Sequence, residues 1–267
     1  MTSFAATDIR ATTDGRLPPG TAAYAQEKIA ATLHLAHRPV LSARVRVTRH
    51  GDPAVPNPVV AQVNLDVSGR LVRVQAEGDN AHEAIDLAQA RLRRRLERIA
   101  QHWEARRGGM PSGEPHEWRH ESEPAHRHRW YPRPAPEREI VRHKSFALAR
   151  CTVDEAARDM GLLDYDFYLF TEAGTGRDSV LYRAGATGYR LAQLTPPGPH
   201  ELAPCGLPLT ISDQPAPELT TDEAANRLGM LGLPFLFFLD AERGRGAVIY
   251  HRYDGHYGLI TPALGER

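Results

Sequence analysis

The stretch Thr152-Val153-Asp154-Glu155-Ala156-Ala157 returns later in the chain as Thr220-Thr221-Asp222-Glu223-Ala224-Ala225, 68 residues on. The offset then holds without a gap for about 40 residues: Gly161 meets Gly229, Leu163 meets Leu231, Phe167 meets Phe235, Phe170 meets Phe238, Gly176 meets Gly244, Val180 meets Val248, Tyr182 meets Tyr250 and Leu191 meets Leu259. An ungapped match of this length marks a duplicated structural unit, and units of this kind commonly bury a face against each other.

Each copy opens on a short helix, N-capped by Thr152 or Thr221, with Asp and Glu in its first turn where the helix dipole favours them. A strand follows, Phe167–Phe170 in one copy and Phe235–Phe238 in the other. Both runs are apolar at every position, so both faces of the strand should be covered. Gly174-Thr175-Gly176 and Arg243-Gly244 read as hairpin turns into strands at Val180–Tyr182 and Val248–Tyr250, and last strands lie near Tyr189–Leu191 and Tyr257–Leu259. A unit of roughly 55–60 residues is marginal as a lone core. It needs a partner, and the other copy is in the same chain. The pairing surface is expected to comprise Phe167, Leu169, Phe170 and Tyr182 with Phe235, Phe237, Phe238 and Tyr250. Divergence such as Asp166 against Pro234 means the pair need not be symmetric.

Working outward, the remainder divides by charge. The 267 residues have zero net charge, but residues 1–107 carry 16 Lys+Arg against 11 Asp+Glu, whereas residues 141–267 carry 12 against 16. The basic front suits a polyanion. It reads β-α-β-β-β-α. A strand near Ile9–Thr12 leads to a helix opened by Pro18-Pro19, with Tyr24, Ile29 and Leu33 on one side. Strands at Ser42–Thr48, Ala61–Val67 and Val72–Ala76 alternate apolar and polar residues. Asp79 or Asn80 caps a long last helix with the stripe Ile85, Ala88, Leu92, Leu96, Ile99 and Trp103. The fold class is therefore α+β: two helices on one face of a four-stranded sheet, then a tandem pair of small β-rich units forming an intramolecular pseudo-dimer. The domains are 1–107, a Pro/Gly/His-rich flexible linker at 108–140, and tail copies at 141–199 and 200–267.

Five arginines, Arg91, Arg93, Arg94, Arg95 and Arg98, crowd about two turns of the last helix. Guanidinium forks suit phosphate oxygens, and A-form RNA is read through its shape and backbone. The competing account is a solvated face with intrahelical pairs such as Arg93–Glu97. Lys28 on the first helix and Arg44, Arg46 and Arg73 on the sheet favour RNA. The expected RNA-binding set is Lys28, Arg44, Arg46, Arg73, Arg91, Arg94, Arg95 and Arg98.

Other chemistry finds little support. His116-Glu117-Trp118-Arg119-His120 fits the H-E-x-x-H pattern of zinc hydrolases, but that chemistry needs a helix with both histidines on one face. Here Pro115 precedes and Pro124 follows, with no core to bury a site. Cys151 and Cys205 cannot by themselves build a four-ligand zinc site. No enzyme activity, metal or cofactor is expected. No apolar run approaches the roughly 18 residues a membrane helix needs, and Met1–Arg10 lacks the pattern of a secretory signal. A cytoplasmic protein is expected.

Two stretches resemble the long-form hibernation-promoting factors, bacterial proteins that bind idle ribosomes. One is the β-α-β-β-β-α region with Asp79–Asp86 opening its basic helix. The other is the tail pattern Thr-x-Asp-Glu-Ala-Ala … Phe-x-x-Phe … Val-x-Tyr, ending Tyr257-Gly258-Leu259-Ile260-Thr261-Pro262. The resemblance implies a first domain seated on ribosomal RNA in the small-subunit decoding channel of the 70S ribosome, among its proteins, where translation is blocked. Arg91, Arg94, Arg98 and Lys28 fall where that family is basic. Its usual single tail pairs with the tail of a second molecule and joins two ribosomes. This chain departs by carrying two tails, and is similar to the two-tail actinobacterial factors associated with hypoxic dormancy. Pairing within one chain then predicts a monomer that holds single ribosomes. The alternative function is a stress regulator that binds other nucleic acid.

Overall fold

The computed structural model describes residues 9–51, 57–107, 130, 133–184, 188–198, 200–252 and 254–263, with the side chains of the long helix described through residue 100. Contacts divide the chain into two compact units.

The first unit runs β1 (Arg10–Asp14), α1 (Thr21–Leu33), β2 (Val40–Arg49), β3 (Val59–Val67), β4 (Arg70–Gly78) and α2 (Ala81–Arg107), with sheet order β1-β2-β3-β4. β1 and β2 are parallel, which requires a crossover, and α1 supplies it. The turn between β3 and β4 is Ser68-Gly69, both at positive φ, and it sets a nine-residue antiparallel register. Alternation does the rest. Ala43, Val45 and Val47, then Ala61, Val63 and Leu65, then Val72, Val74 and Ala76 bury one face. Against them lie Ala25, Ile29 and Leu33 of α1 and Ile85, Ala88, Leu92 and Leu96 of α2. Asn80 is the cap of α2: its side chain accepts from the Glu83 N–H at 3.0 Å, while Glu83 reaches back to the Asp79 N–H at 2.9 Å. The Trp103 side chain, expected on the α2 stripe, lies outside the described residues.

The second unit holds both repeats. The first contains β6 (Arg150–Cys151), α3 (Val153–Leu162), β7 (Phe167–Glu172), β8 (Asp178–Arg183) and β9 (Tyr189–Gln193); the second contains β11 (Glu218–Leu219), α4 (Thr221–Leu231), β12 (Phe235–Asp240), β13 (Arg245–His251) and β14 (Tyr257–Pro262). Two further strands, β5 (Ile140–Phe146) and β10 (Leu209–Ile211), precede the copies. The sheets have orders β10-β9-β8-β7-β6 and β11-β12-β13-β14-β5. The outer strands are therefore exchanged: β10 lies parallel to β9 with Ile211 opposite Leu191, and β5 lies parallel to β14 with His143 opposite Leu259. These two pairings obey the same 68-residue offset. Each copy lends its leading strand to the other copy's sheet, which the repeat boundaries at 141–199 and 200–267 do not convey.

The covering of the apolar strands follows the pleat. Phe170, Leu181 and Leu191 pack with Val153, Ala156 and Ala157 of α3, and Phe238, Ile249 and Leu259 pack with Ala224 and Leu228 of α4. The opposite faces meet each other, with Leu169, Val180, Phe237 and Val248 buried between the sheets.

Two local expectations change. Thr220, not Thr221, caps α4 through a reciprocal capping box with Glu223, matching Thr152 and Glu155 on α3. The reason is register: the cap must sit outside the helix, and the equivalent of Thr152 is Thr220. The end of the stretch read as open linker is packed. Trp130 stacks on His251 with ring centres 4.3 Å apart, and Arg138 reaches the Tyr257 hydroxyl at 3.4 Å. Residues 108–129, with the H-E-x-x-H pattern, lie outside the described residues.

Thr220→Ala should lower tail stability by about 1 kcal/mol in urea unfolding, whereas Thr221→Ala should change it by less than about 0.5 kcal/mol. Equal losses would place the cap elsewhere. Burial, and then the Arg138 charge, pushes the His251 imidazole from 6.5 down to about 4. The fold thus holds His251 neutral, so its stabilising effect is complete above pH 6.5 and is lost as the pH falls toward 4. Melting temperature should drop between pH 7 and pH 5 by a margin that His251→Phe reduces. An unchanged margin would refute the assignment.

Candidate RNA-binding face and the tail-pairing interface

In the first unit the register assembles a polar face on the side of the sheet away from the helices. Arg10 lies opposite Arg44, Arg44 opposite Asn64, and Asn64 opposite Arg73. Three arginines therefore cross four strands in one row, at strand spacings of about 4.8 Å. The adjoining row is Thr12, Arg46, Gln62 and Gln75. Arg44 and Arg46 are exposed, and Arg46 pairs with Asp14 at 2.9 Å. Arg73 donates to the Gln75 side chain at 2.8 Å, and Gln62 donates to Asn64 at 3.2 Å, so the polar groups of this face hold one another in place. Arg10 was not singled out from sequence. Only the parallel pairing of β1 with β2 reveals it.

The arginines of α2 separate into two groups. β4 is an edge strand whose outward carbonyls have no ladder partner. Arg95 donates to the Arg73 carbonyl at 2.7 Å, and Arg91 donates to the Gln75 carbonyl. Arg95 is buried, at 8% exposure. These two guanidinium groups close the sheet edge. Arg94 points outward with a long 3.4 Å contact to the Ala90 carbonyl, and Arg93 pairs with Glu97 at 3.0 Å. Arg98 is half-buried. Lys28 is engaged by Asp86 at 2.9 Å and lies 5.1 Å from the Tyr24 ring centre. Those hydrogen bonds, the one to Asp86 foremost, raise its pKa. The eight residues expected together are thus distributed: Arg44, Arg46 and Arg73 on the sheet face, Arg91 and Arg95 at the edge, and Lys28, Arg94 and Arg98 elsewhere on the helices.

In the second unit the pairing face is apolar and aromatic. Phe167 meets its own counterpart Phe235 at 4.6 Å between ring centres, and Tyr182 meets Phe235 edge-on at 5.3 Å. Tyr250 contacts Phe167 at 5.8 Å. Gly258 makes room for the Tyr250 ring, since a Cβ there would lie 2.3 Å from it. Six of the eight expected pairing residues are on this face. Phe170 and Phe238 are not: both are fully buried against the helix of their own copy, because successive strand residues point to opposite faces.

Among the described residues no group of His, Cys, Asp and Glu could hold a metal ion. The thiols carry no activating environment. Burial, foremost, pushes the Cys151 thiol up to about 11. No described helix is long and apolar enough to cross a membrane.

Arg95→Ala should cost the first unit on the order of 1.5–3 kcal/mol, the range for a charged hydrogen bond to a group left unsatisfied, while Arg44→Ala should stay within about 0.5 kcal/mol. Chemical denaturation separates the two, and equal costs would remove the edge-closing role.

The comparisons with known proteins fall on both units. The sigma 54 modulation protein / S30EA ribosomal protein family matches residues 14–103, and the sigma 54 modulation/S30EA ribosomal protein C terminus matches residues 135–191 and again 212–259. The chain is 39% identical over 226 residues to a dormancy associated translation inhibitor of Mycobacterium tuberculosis, covering 82% of this chain and 76% of the relative. It is 27% identical over 135 residues to a ribosome hibernation promotion factor of a Picosynechococcus species, covering 50% of this chain and 68% of that protein. Among solved structures, the N-terminal domain of Thermus thermophilus Protein Y covers 34% of this chain and 98% of its own, at 23% identity and a TM-score of 0.29. With both family domains matched, and the C-terminal one matched twice, the chain belongs to the sigma 54 modulation/S30EA ribosomal protein family in its long form.

Proposed function

We propose that this protein is a ribosome hibernation factor of the cytoplasm, which binds idle 70S ribosomes through its basic first domain and inhibits translation during dormancy, hypoxic dormancy included. The observation that carries the reading is the joint match of both family domains, together with a relative named for translation inhibition in dormancy across 82% of the chain. The first domain, residues 1–107, is assigned to small-subunit rRNA at the decoding channel. The row Arg10, Arg44 and Arg73 with neighbouring Arg46 supports a backbone-reading surface, because guanidinium groups on a rigid sheet meet phosphates without a base code. Arg94 and Arg98 on α2 offer a second line of positive charge, whereas Arg91 and Arg95 act through the shape of the domain.

The tails set the stoichiometry. Their apolar faces are covered by each other within the second unit, and the exchanged strands β5 and β10 tie the copies together. A tethered partner at roughly millimolar effective concentration outcompetes a second molecule. The protein is therefore a monomer in this reading, and it holds single ribosomes.

Sedimentation with purified 70S ribosomes tests this. The chain should co-sediment, and its affinity should fall with salt, since each phosphate contact contributes about 0.7–0.9 to the logarithmic salt slope. The triple variant Arg44→Glu, Arg94→Glu and Arg98→Glu should lose co-sedimentation while keeping its melting temperature. Factor-dependent ribosome dimers would overturn the stoichiometry. Retention on bulk RNA without retention on ribosomes would favour a non-ribosomal nucleic-acid regulator.

A further inference from the structure

The two tail copies differ at a position where their pairing brings equivalent residues face to face. Asp178 lies opposite Thr171 in the first copy, and Gly246 lies opposite Leu239 in the second, so 178 and 246 are the same place in the repeat. They touch. The Asp178 carboxylate accepts from Arg245 Nε at 2.7 Å, from Arg245 Nη2 at 3.0 Å and from the Gly246 N–H at 2.9 Å. Its side chain is 4% exposed. Gly246 is a fitted hole: a Cβ there would stand 2.8 Å from the Asp178 Cβ and 2.9 Å from the Phe237 ring. The neighbouring position is differentiated too, with Phe237 beside the glycine and Leu169 at the equivalent position of the first copy. A bulky ring accompanies the missing side chain, and a smaller residue accompanies the present one.

We propose that Asp178 and Gly246 form a one-way lock that makes tail pairing heterotypic: the face of the first copy accepts a second-copy face and rejects its own kind. Two first copies would bring two buried carboxylates to the same spot, with their Cβ atoms overlapping. Two second copies would bring two glycines together, leaving a void and two Arg245 side chains without a carboxylate. Arg177, the counterpart of Arg245, is engaged elsewhere, by Glu201 at 3.0 Å. Only the unlike pair satisfies volume and charge together. The inference rests on the reading that the tails close within one chain, and it names the residues that stop tails of neighbouring factors from pairing like with like.

The test uses the full chain and reads amide hydrogen exchange in β8 and β13. Gly246→Ala, whose methyl overlaps Asp178 and Phe237, and Asp178→Gly, which leaves the buried Gly246 N–H unsatisfied, should each speed exchange by about tenfold or more. A swapped variant, carrying Asp178→Gly and Gly246→Asp with Leu169→Phe and Phe237→Leu, and with Glu201→Gln to release Arg177 from its present partner, should recover most of the wild-type protection, because Arg177 is the counterpart of Arg245. Wild-type exchange in Gly246→Ala would overturn the lock. So would a swapped variant that exchanges as fast as the two single changes combined. If a single variant unfolds the tails outright, Asp178→Asn, which keeps the volume and removes the charge, should exchange at an intermediate rate, and a wild-type rate there would overturn the charge part. Light scattering on the wild-type chain keeps the readings apart: a dimer would defeat closure within one chain, while the exchange data alone decide the lock.

Discussion

The burial of one sheet against the other through Leu169, Val180, Phe237 and Val248 is the contact on which the C-terminal half depends. Each tail sheet is apolar on both faces, and one short helix covers only one of them. A five-stranded sheet with an open apolar face is not a stable end state in water. The second face must meet something of matching shape, and here it meets a homologous face. The aromatic contacts among Phe167, Phe235, Tyr182 and Tyr250 extend that core toward its rim.

Sheet edges impose the second constraint, and the two units answer it differently. In the tails, β5 and β10 cross over to extend the partner's sheet, so each edge strand ties the copies together. Separating the copies would break both ladders at once. In the first unit the β4 edge has no strand to meet, and the guanidinium groups of Arg91 and Arg95 satisfy its carbonyls. A charged cluster that reads as a ligand surface is thereby divided, part of it consumed by the fold and part left outward. The remainder, with the arginine row on the sheet, is the positive charge left at the surface of the unit.

Much of this was legible because periodicity reports burial. The alternation in β2, β3 and β4 named the buried face residue by residue, and the 68-residue offset placed every element of the second copy once the first was read. The offset was also more reliable than local preference, since it points to Thr220 as the cap where adjacent threonines are chemically equivalent. Legibility failed where a residue's role depends on a distant strand. In Phe167–Phe170 every position is apolar, so composition could not tell that Phe170 turns to α3 while Leu169 turns to the other sheet. β5 is mostly polar, Ile140-Val141-Arg142-His143-Lys144-Ser145-Phe146, and its pairing lies more than 100 residues away. The place of Arg10 in the sheet row and the hydrogen bond of Arg95 to the β4 edge were illegible for the same reason. Helical and strand periods say which way a side chain points, not what waits there.

Tandem arrangement removes a restriction that a pair of identical chains must obey. Across a two-fold contact between identical chains, any residue on the axis faces itself, so a carboxylate meets a carboxylate and a hole meets a hole. Two copies in one chain may diverge at such a position, and a knob on one can be matched by a hole on the other. Asp178 against Gly246, with Leu169 and Phe237 adjusted beside them, has this form. The same divergence that tightens the unlike pair worsens each like pair, so stability and specificity rise through one set of substitutions. What is a symmetric sticky surface in a single tail becomes, in a double one, a contact that is complete within the molecule.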